Sequence, residues 1–367
     1  MKIRSIEAIP FMIPYHHPIV AASGTLHNAE HVLVRVHTDG GLVGIAEAVS
    51  RSFIYGESQA SIVEAIRLWL EPALIGLDPF AVEDANARMS SVVANNTARG
   101  AIDVALHDLR GKATAQPSWR LLGGTGLPLR MTRTVVMGEP ERAAEEALRA
   151  AGESGITSFK IKVGGNVRAD VARVAAVRKA LGDQAHIFVD ANHGWTAEQA
   201  IQALTAMIAY DVDLAEEPSP ADDRIGRQRV AQQVAIPIVA DESAPTVADA
   251  TRELVSGSAR ALSIKIARTG FTESARLVTL AGALGARTVI GGQADSMIGA
   301  AASLAFGSAH PATAKEPAEL DYHSVLTDQL VREPLIVRDG VLVPSQRPGI
   351  AVEIDEDKLR HYRIDKR

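Results

Sequence analysis

The chain has 367 residues, 47% of them hydrophobic and 22% charged, with a formal net charge of −6. These proportions are ordinary for a soluble globular protein, and with no Lys/Arg stripe they argue against a nucleic-acid partner. There is no cysteine, which excludes disulfides, thiolate catalysis and cysteine-ligated metal, and no apolar run is long enough to cross a bilayer.

The first ten residues, Met1 to Pro10, alternate like a strand and lack the apolar core of a signal peptide. A cytoplasmic protein without membrane partners is therefore expected. Residues 1–120 read as a smaller α+β domain. Strands are predicted over 2–13, 30–38 and 42–49, the last two joined by the hairpin signal Asp39-Gly40-Gly41. Helical periodicity follows over 58–73, 81–91 and 95–115. Two polar or Gly-rich insertions, from His16 to Gly24 and from Ser50 to Gly56, read as loops that could form a lid.

After Leu121-Leu122-Gly123-Gly124 the pattern becomes repeated strand and helix through residue 330. Strands are predicted near 133–137, 157–162, 186–190, 212–216, 236–240, 261–265, 287–291 and 318–321, with Ala-rich helices such as 141–152, 167–181 and 197–209 between them. Eight such strands make an α/β barrel with right-handed crossovers. Residues 331–367 form a tail with a hairpin-like turn at Asp339-Gly340, expected to return to the first domain.

Chemistry-bearing residues recur at the ends of these strands. Lys162, Asp190, Glu216, Asp241 and Lys265 are separated by 24 to 28 residues, about one strand, one helix and two loops. In a parallel barrel such positions converge on one face. Lys160 and Lys162 share one side of their strand, where two ammonium groups disfavour each other's charge and one can become a base. A Lys-x-Lys by itself is ordinarily a solvated strand edge. Its place in this series reverses that reading.

Asp190, Glu216 and Asp241 end three consecutive strands and supply the hard oxygen donors that suit Mg²⁺. Any one of them could be only a helix cap. Side-chain parity selects Glu216 over Glu217 and Asp241 over Glu242, leaving Glu217 and Glu242 behind the ligands. Lys265 ends the sixth strand, opposite the Lys160/Lys162 strand, so a substrate between them has a lysine on each face. A strand-six lysine also suits a Schiff-base aldolase, but an imine mechanism does not need three acids. Asn192, Asp295 and Tyr55 are further candidate substrate contacts. Asp321 and His193 are weaker candidates, and Gly291-Gly292 after strand seven could be a phosphate loop or a tight turn.

The series Lys160-x-Lys162, Asp190, Glu216-x-Pro218, Asp241-Glu242 and Lys265 resembles the muconate lactonizing enzyme subgroup of the enolase superfamily, and the resemblance covers essentially the whole chain. It implies a modified TIM (β/α)7-8 barrel with an N-terminal α+β capping domain. It implies Mg²⁺ on Asp190, Glu216 and Asp241, with Mn²⁺ as a substitute, and a small-molecule carboxylate substrate. Lys160 would stabilise the enolate, and Lys162 and Lys265 would form the acid–base pair. It also implies a homo-oligomer.

The segments from Ala29 to Thr38, Tyr55 to Ser58 and Ser263 to Phe271 look like a muconate cycloisomerase branch, although Phe271 stands where many relatives carry Gly and Asp295 where many carry Glu. Dipeptide epimerases of the subgroup show Asp-x-Asp on strand eight, where this chain has Glu319-Leu320-Asp321. Racemases and dehydratases with a histidine after strand seven differ from Gly291-Gly292-Gln293. The expected activity is cycloisomerisation of cis,cis-muconate to muconolactone, with Arg51, Tyr55 and His27 available for the distal carboxylate. The alternatives are an N-acylamino acid or dipeptide racemase/epimerase, an o-succinylbenzoate synthase, and a catalytically idle barrel that serves as a scaffold.

Overall fold

Alternating apolar residues in the first fifty positions build three antiparallel strands in the order β1-β2-β3: β1 (Ile3–Ala21), β2 (Gly24–Thr38) and β3 (Val43–Val49). The coordinates are a computed structural model that describes residues 1–365. Period-two placement puts Ile9, Phe11 and Ile13 on the buried side of β1. The segment 16–24, expected as a loop, is instead the far end of this hairpin. Its ladder breaks between Pro14 and Ile19 and resumes as Ile19↔Leu26, Val20↔Thr25 and Ala21↔Gly24. The β-branched Ile19, Val20 and Thr25 restore extended backbone once Pro18 is passed.

Helices α1 (Gln59–Ala65), α2 (Glu71–Leu74), α3 (Val82–Met89), α4 (Asn96–Thr114) and α5 (Ser118–Leu121) follow, with a π-helical turn over Ile66–Leu70 joining the first two. The second unit begins with the short strand β4 (Leu129–Arg130) and continues with β5 (Thr132–Val135), α6 (Pro140–Ser154), β6 (Ser158–Lys162), α7 (Val167–Leu181), β7 (His186–Asp190), α8 (Ala197–Met207) and β8 (Leu214–Glu216). It goes on through α9 (Arg224–Gln233), β9 (Ile238–Ala240), α10 (Val247–Val255), β10 (Ala261–Ile264), α11 (Ile266–Ala283), β11 (Arg287–Ile290) and α12 (Met297–Gly307). Strands β5 to β11 form one curled parallel sheet in sequence order.

The expected eighth strand is reduced to a bridge. Ala318 pairs in parallel with Met131, and the Glu319 N–H donates to the Ile290 carbonyl at 2.8 Å. Residues 318–319 thus touch both β5 and β11 and draw the ring together. They are too few for a ladder because Pro317 precedes them and a 3₁₀ turn begins at Tyr322. The tail pairs β12 (Val341–Leu342) with β4, then runs through α13 (Glu356–Tyr362) to a bridge between Arg363 and Phe11.

Phe188, Leu214, Val239, Ala261 and Val289 form a small apolar cluster of their own, one residue from each of five adjacent strands. This is the plug inside the barrel. Asp190, Glu216 and Asp241 each lie two residues beyond a plug residue, so they point inward at the mouth.

The first unit is clamped over that mouth by α4. Asp103 accepts the N–H groups of Phe271 and Thr272 at 2.7 and 2.9 Å and the Thr272 hydroxyl at 2.6 Å. Gly270 sits between them at φ +63°, a left-handed kink that suits glycine. A Cβ on Gly100 would approach Gly270 N at 2.9 Å and the Arg268 carbonyl at 3.0 Å. Alanine in a helix is normally favoured over glycine by about 1 kcal/mol, whereas overpacking costs about 1–3 kcal/mol. Gly100→Ala should therefore lower the urea midpoint and reduce turnover, because the backbone it pushes carries Arg268.

Candidate active site

At the mouth of the barrel, buried cations and carboxylates alternate. Lys160 Nζ, from the middle of β6, donates to Glu216 Oε2 at 2.9 Å and to both oxygens of Glu319 at 3.0 and 2.9 Å. It also lies 2.9 Å from Asp190 Oδ2. Lys162, two residues on, donates to the same Asp190 oxygen at 2.6 Å and to Asn192 Oδ1 at 2.7 Å. Across the mouth Lys265 pairs with Asp241 Oδ2. Arg268, one turn into α11, donates to Asp241 Oδ1 and to the Tyr55 hydroxyl at 3.0 Å each and stacks on the Tyr55 ring.

Burial raises the cost of every charge here, and proximity decides the sign of each shift. Desolvation works against the charge on Asp190, but Lys160 and Lys162 overcome it and hold the carboxyl well below the usual range. Asp241 is likewise depressed, against burial, by Lys265 and Arg268. Glu216 goes the other way: burial and the surrounding Asp190, Glu319 and Asp241 raise it well above its ordinary value, against Lys160. Burial would neutralise the lysines, yet the carboxylates hold Lys160 and Lys265 far above, and Lys162 above, the ordinary lysine value. For Lys162 the repulsion of Lys160 is outweighed by the attraction of Asp190.

Above this cluster lies a small cavity of about 50 Å³. Lys162, Asn192, Glu242 and Lys265 line its barrel side, Gly292, Gln293 and Ala294 its edge, and Ile19, Leu26, Arg51, Phe53, Ile54 and Tyr55 its roof. A cavity of that size holds a water or two, so a substrate needs more room than this arrangement of the 19–26 and 51–55 segments leaves. Wider grooves of 420 and 810 Å³ lie outside, between α3 and α11, away from the lysines.

The structure brings together Lys160, Lys162, Asp190, Glu216, Asp241 and Lys265, with Asn192 and Tyr55 at the cavity wall. Asp295 is not on that wall: its Oδ2 accepts the Gln293 N–H at 2.8 Å, turned toward the first sheet. His27 does not line the cavity either. His193 lies 3.7 Å from both Glu217 and Glu242. Glu217 supports from behind, taking the Arg227 guanidinium at 2.7 Å and the Asp241 N–H at 2.6 Å. Glu242, expected behind the ligands, instead forms part of the wall; burial and then Asp241 push its carboxyl up to about 8.

Glu319 is the residue the sequence reading passed over. Parity alone would not have found it, since Asp321, two residues on, shares that parity and bonds elsewhere; the strand-eight bridge is what brings Glu319 to Lys160. Asp321 bonds Arg133 at 2.5 Å, outside the cluster.

Residues 5–123 match the mandelate racemase/muconate lactonizing enzyme N-terminal domain, and residues 142–358 match the enolase C-terminal domain-like family. The chain belongs to the mandelate racemase/muconate lactonizing enzyme family of the enolase superfamily. Its homologues here are isomerases. A muconate lactonizing enzyme of Mycobacterium smegmatis, solved with muconolactone, is 46% identical over the full length of both chains at a TM-score of 0.98. A chloromuconate cycloisomerase of Cupriavidus necator is 31% identical, covering 99% of each chain. A hydrophobic dipeptide epimerase of Enterococcus faecalis is 34% identical over 82% of this chain and 88% of its own.

A dipeptide epimerase of that organism, solved with Mg and L-Leu-L-Tyr, is 30% identical at a TM-score of 0.91, covering 96% of this chain and all of its own. The donor chemistry of Asp190, Glu216 and Asp241 fits such an ion, because all three offer carboxylate oxygens and Glu216 Oε1 is buried without a hydrogen-bond partner. In this structure lysines supply the compensating charge. As placed, no three acidic or histidine side chains among the described residues converge on one ion.

A second buried network ties the family's two domains together beside the cavity. Glu47, on β3, accepts the Gly299 N–H at 2.7 Å and the Ser296 hydroxyl at 2.8 Å at the start of α12, and it bonds the His31 imidazole. Burial opposes its ionisation, but His31 and these donors win and depress its pKa. The stabilisation is thus complete above the ordinary value of 4.5 and is lost as pH falls through the lower folded value. Glu47→Gln should cost about 1–3 kcal/mol at neutral pH. In denaturant titrations that difference should shrink as pH drops below 4.5. A difference that grew with acid would contradict this assignment.

Proposed function

We propose that this chain is a Mg²⁺-dependent cycloisomerase that converts cis,cis-muconate to muconolactone. What carries the reading is that Lys162 and Lys265, from opposite sides of the barrel, line one cavity above the carboxylates. The full-length likeness to a muconolactone-bound relative supports the choice of substrate. Mg²⁺ would be held by Asp190, Glu216 and Asp241, and when bound it supplies a Lewis acid for a substrate carboxylate.

The chain's own residues account for the rest. Lys160, fixed between Glu216 and Glu319, contributes a buried positive charge where enolate charge develops. One substrate carboxylate oxygen adds to the conjugated double bond, and the electron pair moves toward the other carboxyl group. Lys162 Nζ then gives its proton to the α-carbon, closing the sequence with the lysine neutral. Asn192 orients that lysine, since its Oδ1 accepts from Nζ while its Nδ2 is anchored on Glu242 at 2.9 Å. Lys265 faces the other side as electrostatic partner or alternative donor. The apolar roof of Ile19, Leu26, Phe53 and Ile54 excludes water.

The dipeptide epimerase reading has the Enterococcus faecalis relative in its favour. Against it, Asp321 is committed to Arg133 and Glu319 to Lys160, so neither is free for a substrate ammonium group. With Mg²⁺ added, loss of cis,cis-muconate absorbance should be fast in the wild type and fall by about 10²–10⁴ in Lys162→Ala. Asp190→Ala should lose turnover and calorimetric Mg²⁺ binding together. Retained Mg²⁺ affinity in that variant would remove Asp190 from the metal set. If dipeptides or N-acylamino acids exchange Cα–H with D₂O while muconate is untouched, the epimerase reading takes its place.

A further inference from the structure

We propose that Gln293 selects the substrate, donating from Nε2 to an oxygen on the end remote from the reacting α-carbon. In muconate that end is the second carboxylate, so this identification rests on the cycloisomerase reading. Gln293 lies in the loop after β11, 5% exposed, and it lines the same cavity as Lys162 and Lys265. Its backbone is held at both ends: the N–H donates to Asp295 Oδ2 at 2.8 Å, and the carbonyl accepts from the buried Arg51 guanidinium. Its side chain is not held at all. Neither Oε1 nor Nε2 has a hydrogen-bond partner.

Buried amides are almost always partnered within the protein or by what binds there. The other amide on the wall, Asn192, is already used at both ends by Lys162 and Glu242. Gln293 therefore presents the uncommitted side-chain amide at this cavity, beneath a roof whose polar groups, Arg51 and Tyr55, are already bonded elsewhere. Gly291, two residues earlier, is close enough that its Cβ would meet Lys265 Cε at 3.0 Å. The Gln293 loop thus adjoins Lys265 on the side away from β7 to β9, which carry the carboxylates. Arg51, reaching from the roof to the Gln293 carbonyl, makes this side attractive to an anion. A wall that reads an oxygen by a buried donor rejects the analogue that lacks it more strongly than an apolar wall does.

The test compares wild type, Gln293→Glu and Gln293→Leu in the full-length protein with Mg²⁺, using cis,cis-muconate and its monomethyl ester. Gln293→Glu replaces the donor by a carboxylate of the same shape. It should raise KM for muconate about 30-fold or more, leave kcat within about 3-fold, and cut the preference for the diacid over the monoester about 10-fold. Gln293→Leu should fall between, and it carries the test if the Glu variant does not fold.

A merely structural role would lower activity on both substrates alike, and that result would overturn the proposal. Unchanged KM in both variants would overturn it as well. If wild type ignores muconate but epimerises a dipeptide, the cycloisomerase reading has failed by itself. Gln293 is then judged on the dipeptide against an analogue lacking the remote carboxylate, where an unchanged preference overturns it and a lost preference supports it.

Discussion

Three lysines can be buried at the mouth of this barrel only because carboxylates are buried with them. An unpaired ammonium or carboxylate in such a place costs several kcal/mol, even after relaxation. Lys160, Lys162 and Lys265 therefore depend on Asp190, Glu216, Glu319 and Asp241, and the acids depend equally on the lysines. The balance is uneven. Asp190 and Asp241 are well served, whereas Glu216, with three acids near it, has one oxygen without a partner. That unevenness is the structural reason to place a cation there.

Such a cluster needs a dry, rigid frame, and two contacts with the first domain provide it. Asp103 caps the broken start of α11 with three hydrogen bonds, which fixes the backbone just beyond Lys265 and Arg268. Glu47 does the same at the start of α12, below the loop that carries Gln293 and Ala294. Arg51 and Tyr55 then reach over the mouth from the roof, Arg51 to the Gln293 carbonyl and Tyr55 to Arg268. The first domain thus does two jobs: it closes the cavity, and it holds the strand-end loops of the barrel in register.

Relatives on this one fold are named for different substrates, so substrate choice is to be sought in the side chains around the cavity rather than in the fold. Here the lining on the side away from Asp190, Glu216 and Asp241 includes the Gln293 amide and the Arg51 guanidinium. Apart from the mycobacterial muconate lactonizing enzyme, relatives named for muconate and for dipeptides lie at comparable identity. Overall likeness by itself therefore does not separate these substrates.

The sequence by itself determined the barrel and the inward direction of its strand-end groups. Both follow from local regularities: a strand, a loop and a helix consume a near-constant length of chain, and alternation along a strand decides which of two neighbours, Glu216 or Glu217, faces the plug. The resemblance of that series to a known subgroup reached the same family. Contacts between segments far apart in the chain were not legible in this way. No local pattern shows that Glu319 completes the shell of Lys160, that Glu242 reaches the cavity wall, that Asp295 turns away from it, or that residues 16–24 pair as a hairpin over the site. For Glu319 and Glu242 these were decided by strand ends brought together within the barrel, and for Asp295 and residues 16–24 by packing of the first domain against it, where burial and charge pairing between distant segments outweigh what any neighbouring side chain prefers.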